Sequence, residues 1–338
     1  MNIDVGIGGC GVAGLALGAL LARGGARVTI FDKLEAPAPL GSGLIVQPVG
    51  MAVLKTLGLD ARVAALGARV DRLLGRARPS GDVVLDVRYG ALPGDAHGVA
   101  VHRGALFDML LDGAVAAGVR LEARCDVRGV ENGRFQFAGG ARSAPFDLLV
   151  DALGVRSPLS PTEGKGLAYG ALWASLDWPP GEIFHPHALE QRYERARRMV
   201  GVMPIGRLNV GASPQAAFFW SLRHDAFAAW RAASIDAWKA DVLALWPETA
   251  PFLDQVAGHD DLVFARYAHR TLASPVSRDL VHVGDSYHCT SPQLGQGANM
   301  ALLDAFALSA ALSAHAERAD ALAAYARMRR WHVRLYQA

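Results

Sequence analysis

The sequence predicts an α/β protein built on a parallel sheet, and three observations point there. A β-branched run at Ile3 to Ile7 leads into a glycine-rich turn, an apolar helical stretch and a second strand that closes in an acid. Near the other end, Asp279 to Val283 begins the same succession of short strand, glycine-containing loop and apolar helix. The 338 residues are 51% hydrophobic and 20% charged with mean hydropathy +0.18. That is ample material for a large core in about two domains, and it excludes a disordered chain.

The first unit explains itself residue by residue. Ile3 to Ile7 reads as a short buried strand. Gly8 to Gly14 contains G-x-G-x-x-G at Gly9, Gly11 and Gly14, and Ala13, Leu17, Leu20, Leu21 and Gly24 then fall on one helical face. Gly24 and Gly25 end that helix, and Arg27 to Asp32 forms the second strand. Asp32 stands 18 positions after Gly14, near the ~20 expected of a carboxylate that binds ribose hydroxyls. Gly9 permits the tight turn, Gly11 lets backbone N–H groups approach a pyrophosphate, and Gly14 lets helix and strand pack closely. The helix N-terminus adds unpaired donors and positive potential. Together these predict dinucleotide binding, with FAD and NAD both open at this point.

The C-terminal unit separates the two. Gly284, Asp285 and His288 spell G-D-x-x-H after the strand, and Pro292, Gly295, Gln296, Gly297 and Asn299 spell P-x-x-G-Q-G-x-N before the helix Met300 to Leu308. This stretch resembles the second flavin-binding motif of the class A flavoprotein monooxygenases, the p-hydroxybenzoate hydroxylase-like family. The resemblance continues in the glycine loop Gly41 to Pro48 with the helix Met51 to Leu59, in an arginine-bearing helix start at Val101 to Leu106, and in the strand Phe146 to Gly154. It is weakest from Leu159 to Val263, where specificity for a substrate would reside.

That resemblance implies a Rossmann-type FAD-binding domain over 1–70, 98–157 and 268–316, interleaved with a mixed-sheet substrate domain over 71–97 and 158–267, and a C-terminal helix over 317–338. Val83 to Tyr89 and Phe218 to Leu222 read as strands of the substrate sheet. It also implies an FAD-dependent oxidoreductase that uses NADPH or NADH and O2. Such an enzyme hydroxylates a small aromatic or heteroaromatic substrate through a flavin C4a-hydroperoxide. A reductase without oxygenation and a non-catalytic FAD-binding protein are the alternatives.

On the same resemblance Asp285 would bond a ribityl hydroxyl and Arg103 the phosphate or ribityl region. The segment Gly295 to Gly297 would bring the next helix's positive end to the flavin pyrimidine ring, stabilising the reduced cofactor's negative charge. Gly9, Gly11, Ala13, Gly14, Asp32, Lys33, Gly154, Gly284, Gln296 and Asn299 complete the expected cofactor set. Pro292 and Gly295 would line the reacting face, with Gln47, Trp220, Arg223, His224 and Tyr267 on the substrate side. One departure stands out. The family's Asp-Gly pair is Leu153-Gly154 here, with Asp151 two positions earlier, which leaves open how nicotinamide reaches the flavin.

The remaining features point away from other chemistries. Lys plus Arg number 34 and Asp plus Glu 32, a net charge of +2 that gives no general drive toward nucleic acid or an acidic membrane. The expected partner is therefore a small molecule. Cys10, Cys125 and Cys289 lie far apart without a C-x-x-C pair, which suits a reducing cytoplasm. No metal site is expected, and His185-Pro186-His187 reads as a surface turn. His288 reads as a structural hydrogen-bond partner, and no G-x-S-x-G elbow supports a hydrolase. The apolar run Val12 to Ala22 has no basic segment before it and is too short to span a bilayer. In the terminal helix Leu322, Tyr325, Met328, Trp331 and Leu335 recur at near-helical spacing, predicting a packed face, with Arg327, Arg329, Arg330 and Arg334 on a solvated one.

Overall fold

A computed structural model describes residues 1–35, 42–162, 164–277, 280–289 and 295–337. The chain opens as read, with β1 (Asp4–Gly8), α1 (Val12–Arg23) and β2 (Arg27–Phe31). There follow β3 (Gly43–Val46), α2 (Pro48–Thr56), α3 (Asp60–Leu66), β4 (Ala68–Val70), β5 (Arg72–Ala77), β6 (Val83–Arg88) and β7 (Gly98–His102). Next come α4 (Arg103–Ala116), β8 (Arg120–Glu122), β9 (Val127–Glu131), β10 (Arg134–Phe137) and β11 (Leu148–Asp151). The middle of the chain holds β12 (Lys165–Asp177), β13 (Ala188–Glu194), β14 (Arg198–Gly206), β15 (Gln215–Arg223), α5 (Phe227–Ala232), α6 (Ile235–Leu245), α7 (Ala250–Leu253) and β16 (Val263–Thr271). It ends with β17 (Val281–His282), β18 (His288–Cys289), α8 (Gly297–Ala314) and α9 (Arg318–Gln337).

Five strands form a sheet in the order β17-β11-β1-β2-β8, and each pair in it is parallel. β1 lies at its centre because Val5 and Ile7 are wholly buried, as a strand covered on both faces requires. α1 packs close to this sheet through small residues: a Cβ at Gly18 would come within 3.0 Å of Ile30 Cδ1. The core here joins α1, α4, α8 and α9. α8 is long and apolar enough to cross a membrane by length and composition. It is instead packed against α1, α2 and α9, with Leu302, Ala305 and Leu308 fully buried.

A second sheet runs β18-β16-β12-β15-β14-β13-β5-β6, antiparallel except where β13 meets β5. Alternation gives it two apolar faces. Leu172, Phe218 and Trp220 point into a core with Trp238, Val242 and Phe252 of α6 and α7. Trp173, Met203 and Phe219 point the other way, toward a cluster shared with Ile45, Val70 and Ala100 of the small sheet β3-β7-β4.

Three expectations change. Part of the expected glycine loop is strand β3, because Gly43 to Val46 pairs antiparallel with β7 and buries Ile45 and Val46. Strand β16 runs across the expected border between 267 and 268, and β18 pairs with it at the edge of the large sheet. On α9 only the first part of the apolar stripe is covered: Tyr325 is fully buried, whereas Met328, Trp331 and Leu335 are exposed. Arg329 is buried instead of solvated, because it turns toward a carboxylate of α8.

Candidate active site

α1 has Gly11 as its N-cap, no side chain closes its first turn, and no acid stands in that turn. Its unpaired N–H groups and positive end meet a cavity of about 520 Å³ lined by Gly9, Gly11, Ala13 and Asp32. The three glycines do different jobs. Gly9 has φ +108°, and a Cβ there would stand 2.3 Å from the Ala152 carbonyl oxygen. A Cβ at Gly14 would stand 2.0 Å from the Gly9 oxygen, so Gly14 serves packing and does not line the cavity. At Gly11 a Cβ would meet nothing within 4 Å among the described residues; it would occupy ligand space. Asp32 accepts from the backbone N–H of Cys10 and of Leu34, both at 2.9 Å, so its carboxylate holds the turn while lining the cavity. Lys33 and Gly154 line it too.

The far end of this cavity is built by α4 and α8. His102 caps α4: its Nδ1 accepts from the Gly104 N–H at 3.0 Å, and burial pushes its pKa down, so the cap is a neutral ring. Arg103, the first residue of α4, thereby projects into the cavity. α8 also starts without a side-chain cap or a first-turn acid, and Gly297 opens it. Asp285 lines the cavity beside it, and burial pushes its carboxyl up against the pull of His288, Arg103 and Arg270.

Behind these residues lies a buried hub. Asp304 accepts from the Gly284 N–H at 2.7 Å, from His288 Nε2 at 2.6 Å and from Arg329 Nε at 2.5 Å. Burial opposes its charge, yet His288 and Arg329 outweigh that and hold its carboxyl below the usual range. The hub ties the Gly284 turn to α8 and α9, and it gives His288 a structural partner.

A second cavity of about 360 Å³ opens from the first, since Leu44, Arg103, Asp285, Gly297 and Ala298 line both. Its wall is the inner face of the large sheet. Trp173 and Phe219 stack with ring centroids 4.6 Å apart and planes 28° from parallel. Trp173 Nε1 donates to the Tyr267 hydroxyl at 2.8 Å, and burial pushes the Tyr267 phenol up to about 12. Gly295, with φ +61°, reaches this cavity rather than the first.

Several expected residues sit elsewhere. The Asn299 side chain is fully buried and clamps the loop, accepting from the Gln47 N–H and donating to the oxygens of Ile45 and Gly295. Gln47 lines neither cavity; its side chain bonds the Tyr89 hydroxyl and its backbone begins α2. Gly284 and Gln296 support the lining without joining it. Trp220 faces the opposite core because it is one residue out of phase with Phe219. Arg223 pairs with Asp225 at the end of β15, with His224 just beyond, and neither lines either of these two cavities. Pro292 lies outside the described residues. His185 and His187 are exposed, and no group of three metal-ligating side chains occurs among the described residues. Sequence reasoning missed His102, Trp173 and Phe219. Period-2 alternation shows that a strand has two faces but not which one meets a cavity.

Asp151 does not stand in for the missing acid at Leu153. Its carboxylate is fully buried and accepts from the Leu153 N–H at 3.0 Å, Ser157 Oγ at 2.6 Å and His282 Nδ1 at 2.9 Å. With the acid between Ser157 and His282, the imidazole cannot activate the hydroxyl as a triad would.

Two uncapped helix ends, open space at Gly11 and a carboxylate at one end of a long cavity fit an FAD. The sequence profile described as the FAD binding domain matches residues 2–142 and 259–336, the profile of the class A aromatic hydroxylase-like flavin monooxygenases. The chain belongs to this family. It binds FAD and is an FAD-dependent monooxygenase. Aurachin C monooxygenase/isomerase of Stigmatella aurantiaca is 27% identical, the match covering 97% of this chain and 85% of that protein. Kynurenine 3-monooxygenase of Xanthomonas campestris is 28% identical over 95% of this chain and 74% of its own. The structure of PqsL from Pseudomonas aeruginosa, in complex with 2-aminobenzoylacetate, superposes with TM-score 0.85 at 21% identity, covering 99% of this chain and 94% of PqsL. The fold is thus that of the p-hydroxybenzoate hydroxylase type.

Proposed function

We propose that this monooxygenase hydroxylates a small planar aromatic or heteroaromatic molecule, with NADH or NADPH as electron donor and O2 as co-substrate. One observation carries the reading: the 360 Å³ cavity with its Trp173–Phe219 wall joins the dinucleotide cradle through Arg103, Asp285 and Gly297. The named relatives, which include an aurachin and a kynurenine monooxygenase, support it.

When bound, FAD supplies the redox and oxygen chemistry. The chain's own residues bind, orient and exclude water. The N-terminus of α1 with Gly9, Gly11 and Ala13 takes the pyrophosphate, Asp32 and Lys33 the adenosine end, and Arg103, Gly154 and Asp285 the phosphate–ribityl region. The positive end of α8, at Gly297, faces the place of the flavin ring and favours negative charge there. Trp173 and Phe219 hold the substrate plane, and apolar Leu44, Leu73 and Met203 keep the reaction space dry. Tyr267 keeps its proton through neutral pH and presents it as a donor.

We assign segments 1–70, 98–157 and 268–316 mainly to the cofactor and 71–97 and 158–267 mainly to the substrate, with β16 crossing the border at 267 and 268. The fold is that of soluble proteins, and its three free cysteines suit a cytoplasmic setting. Small molecules, rather than nucleic acid or membrane, are its partners.

Anaerobic titration of the purified protein with NADPH and then NADH, followed at the flavin band near ~450 nm, tests the reading. Bleaching that an aromatic compound accelerates, followed by 18O from O2 in the product, is the expected result. Oxidation of the donor with every aromatic supplied, and no labelled product, would sink it.

A further inference from the structure

Gln191 sits on β13 between two glycines, Gly75 of β5 and Gly201 of β14, which pair with it in register. Neither neighbour has a side chain to cover it, and aromatic rings fill both gaps. A Cβ on Gly75 would come within 2.6 Å of Tyr193 Cε2, and one on Gly201 within 2.1 Å of Phe219 Cζ. The amide is therefore held between two rings, 5% exposed, on the wall of the second cavity.

Its orientation follows from its partners. The Tyr193 hydroxyl donates to Gln191 Oε1 at 2.9 Å, and burial pushes the Tyr193 phenol up, so it stays a donor. On the other side Nε2 lies 3.4 Å from Met199 Sδ, a weak acceptor and never a donor. One lone pair of Gln191 Oε1 is thus taken, while its N–H groups have only a thioether among the described residues. Tyr267 repeats the pattern, its oxygen accepting from Trp173 and its own proton meeting no acceptor among the described residues. Arg103 and Arg266 on the same lining are donors by chemistry, and Asp285, at the flavin junction, is the one carboxylate among the lining residues.

We infer that Gln191 is a specificity-determining residue whose amide N–H donates to a neutral carbonyl oxygen on the ring system of the substrate. This rests on the proposed function and names the substrate class more narrowly: planar aromatics that carry a carbonyl. A ring without that oxygen leaves a buried donor unmet, and a cationic amine would face N–H groups that are donors like itself. A carboxylate is disfavoured at this point because the side chains around Gln191, those of Tyr193, Met199 and Phe219, carry no charge.

The test is equilibrium binding to the oxidised, FAD-loaded protein without electron donor, read by perturbation of the flavin spectrum. The probes are 4(1H)-quinolone, quinoline and 4-aminoquinoline. The wild type is expected to bind the quinolone about tenfold or more tighter than quinoline. Gln191→Leu abolishes that preference and leaves quinoline affinity unchanged, whereas Gln191→Glu, nearly isosteric, shifts preference toward 4-aminoquinoline. FAD occupancy, measured first, confirms that each variant is folded. Binding of all three probes with no preference in the wild type, or a preference that survives in Gln191→Leu, overturns the role of Gln191 alone. Failure of every probe to bind the FAD-loaded protein overturns this assignment together with the substrate reading.

Discussion

Replacing Asp304 by Asn removes one charge from a site that has no water to replace it. Asp304 is 0% exposed, and Arg329 and His288, which face it, are 3% and 4% exposed. The substitution keeps the volume, but it leaves the Arg329 guanidinium buried beside a neutral amide and turns one former acceptor into a donor facing either Arg329 or both the Gly284 N–H and His288. Breaking one side of a buried, hydrogen-bonded charge pair costs about 3–5 kcal/mol. Unfolding entropy of about 2.1 cal/mol/K per residue gives about 0.7 kcal/mol/K for 338 residues. The expected fall in Tm at pH 7 is then ~4–7 °C. Asp304's folded carboxyl lies below its ordinary value, so its contribution is fully present above the ordinary carboxylate range. It is lost as pH falls through the depressed native value, and the gap between wild type and D304N must narrow in acid. Calorimetry of D304N, R329M and the double variant from pH 7 down to pH 3 checks this, with the double variant less destabilised than the sum of the two. D304N melting within ~1 °C of the wild type at pH 7, or strictly additive variants, would refute the reasoning.

Three further outcomes are expected. Gly11→Ala should leave Tm within about 1 °C while weakening FAD binding at least tenfold, whereas Gly14→Ala, 2.0 Å from the Gly9 oxygen, should lower Tm even without FAD; equal melting losses in both would contradict the division of roles. Gly201→Ala drives a Cβ into the Phe219 ring, so it should cost ~1–3 kcal/mol of stability and raise substrate KM, with FAD affinity unchanged. In the native protein at pH 8, Cys125, half-exposed and lining the first cavity, should alkylate first and more slowly once FAD is added. Burial holds Cys10 up at about 12, and it should stay unlabelled; peptide mapping decides.

The cofactor side was legible because its chemistry is written in local order. A strand, three spaced glycines and Asp32 lie within one stretch, and the backbone geometry they demand depends on near neighbours such as Ala152 and Cys10. Arg103 came from the family resemblance, and its place as the first residue of α4 sets it on the cavity lining. The substrate-side candidates are aromatic or hydrogen-bonding residues on expected strands; of these Tyr267 lines the second cavity, whereas Gln47, Trp220, Arg223 and His224 line neither of the two. Trp220 and Phe219 differ by one position, and that single step decides which of two apolar faces each serves.

By itself, then, the sequence determined the α/β class, the dinucleotide turn, the flavin motif at Gly284 to Asn299 and hence the family. Only the tertiary structure decided that Asp304 and Arg329 meet across α8 and α9, that Asp151 turns inward, and that Gln191, Trp173 and Tyr267 share one wall. Hydrogen-bonded turns and helix ends are short-range and leave a spacing in the chain. Buried charge pairs and cavity walls join residues from strands whose register is set by pairing across the whole sheet, and no local pattern records it.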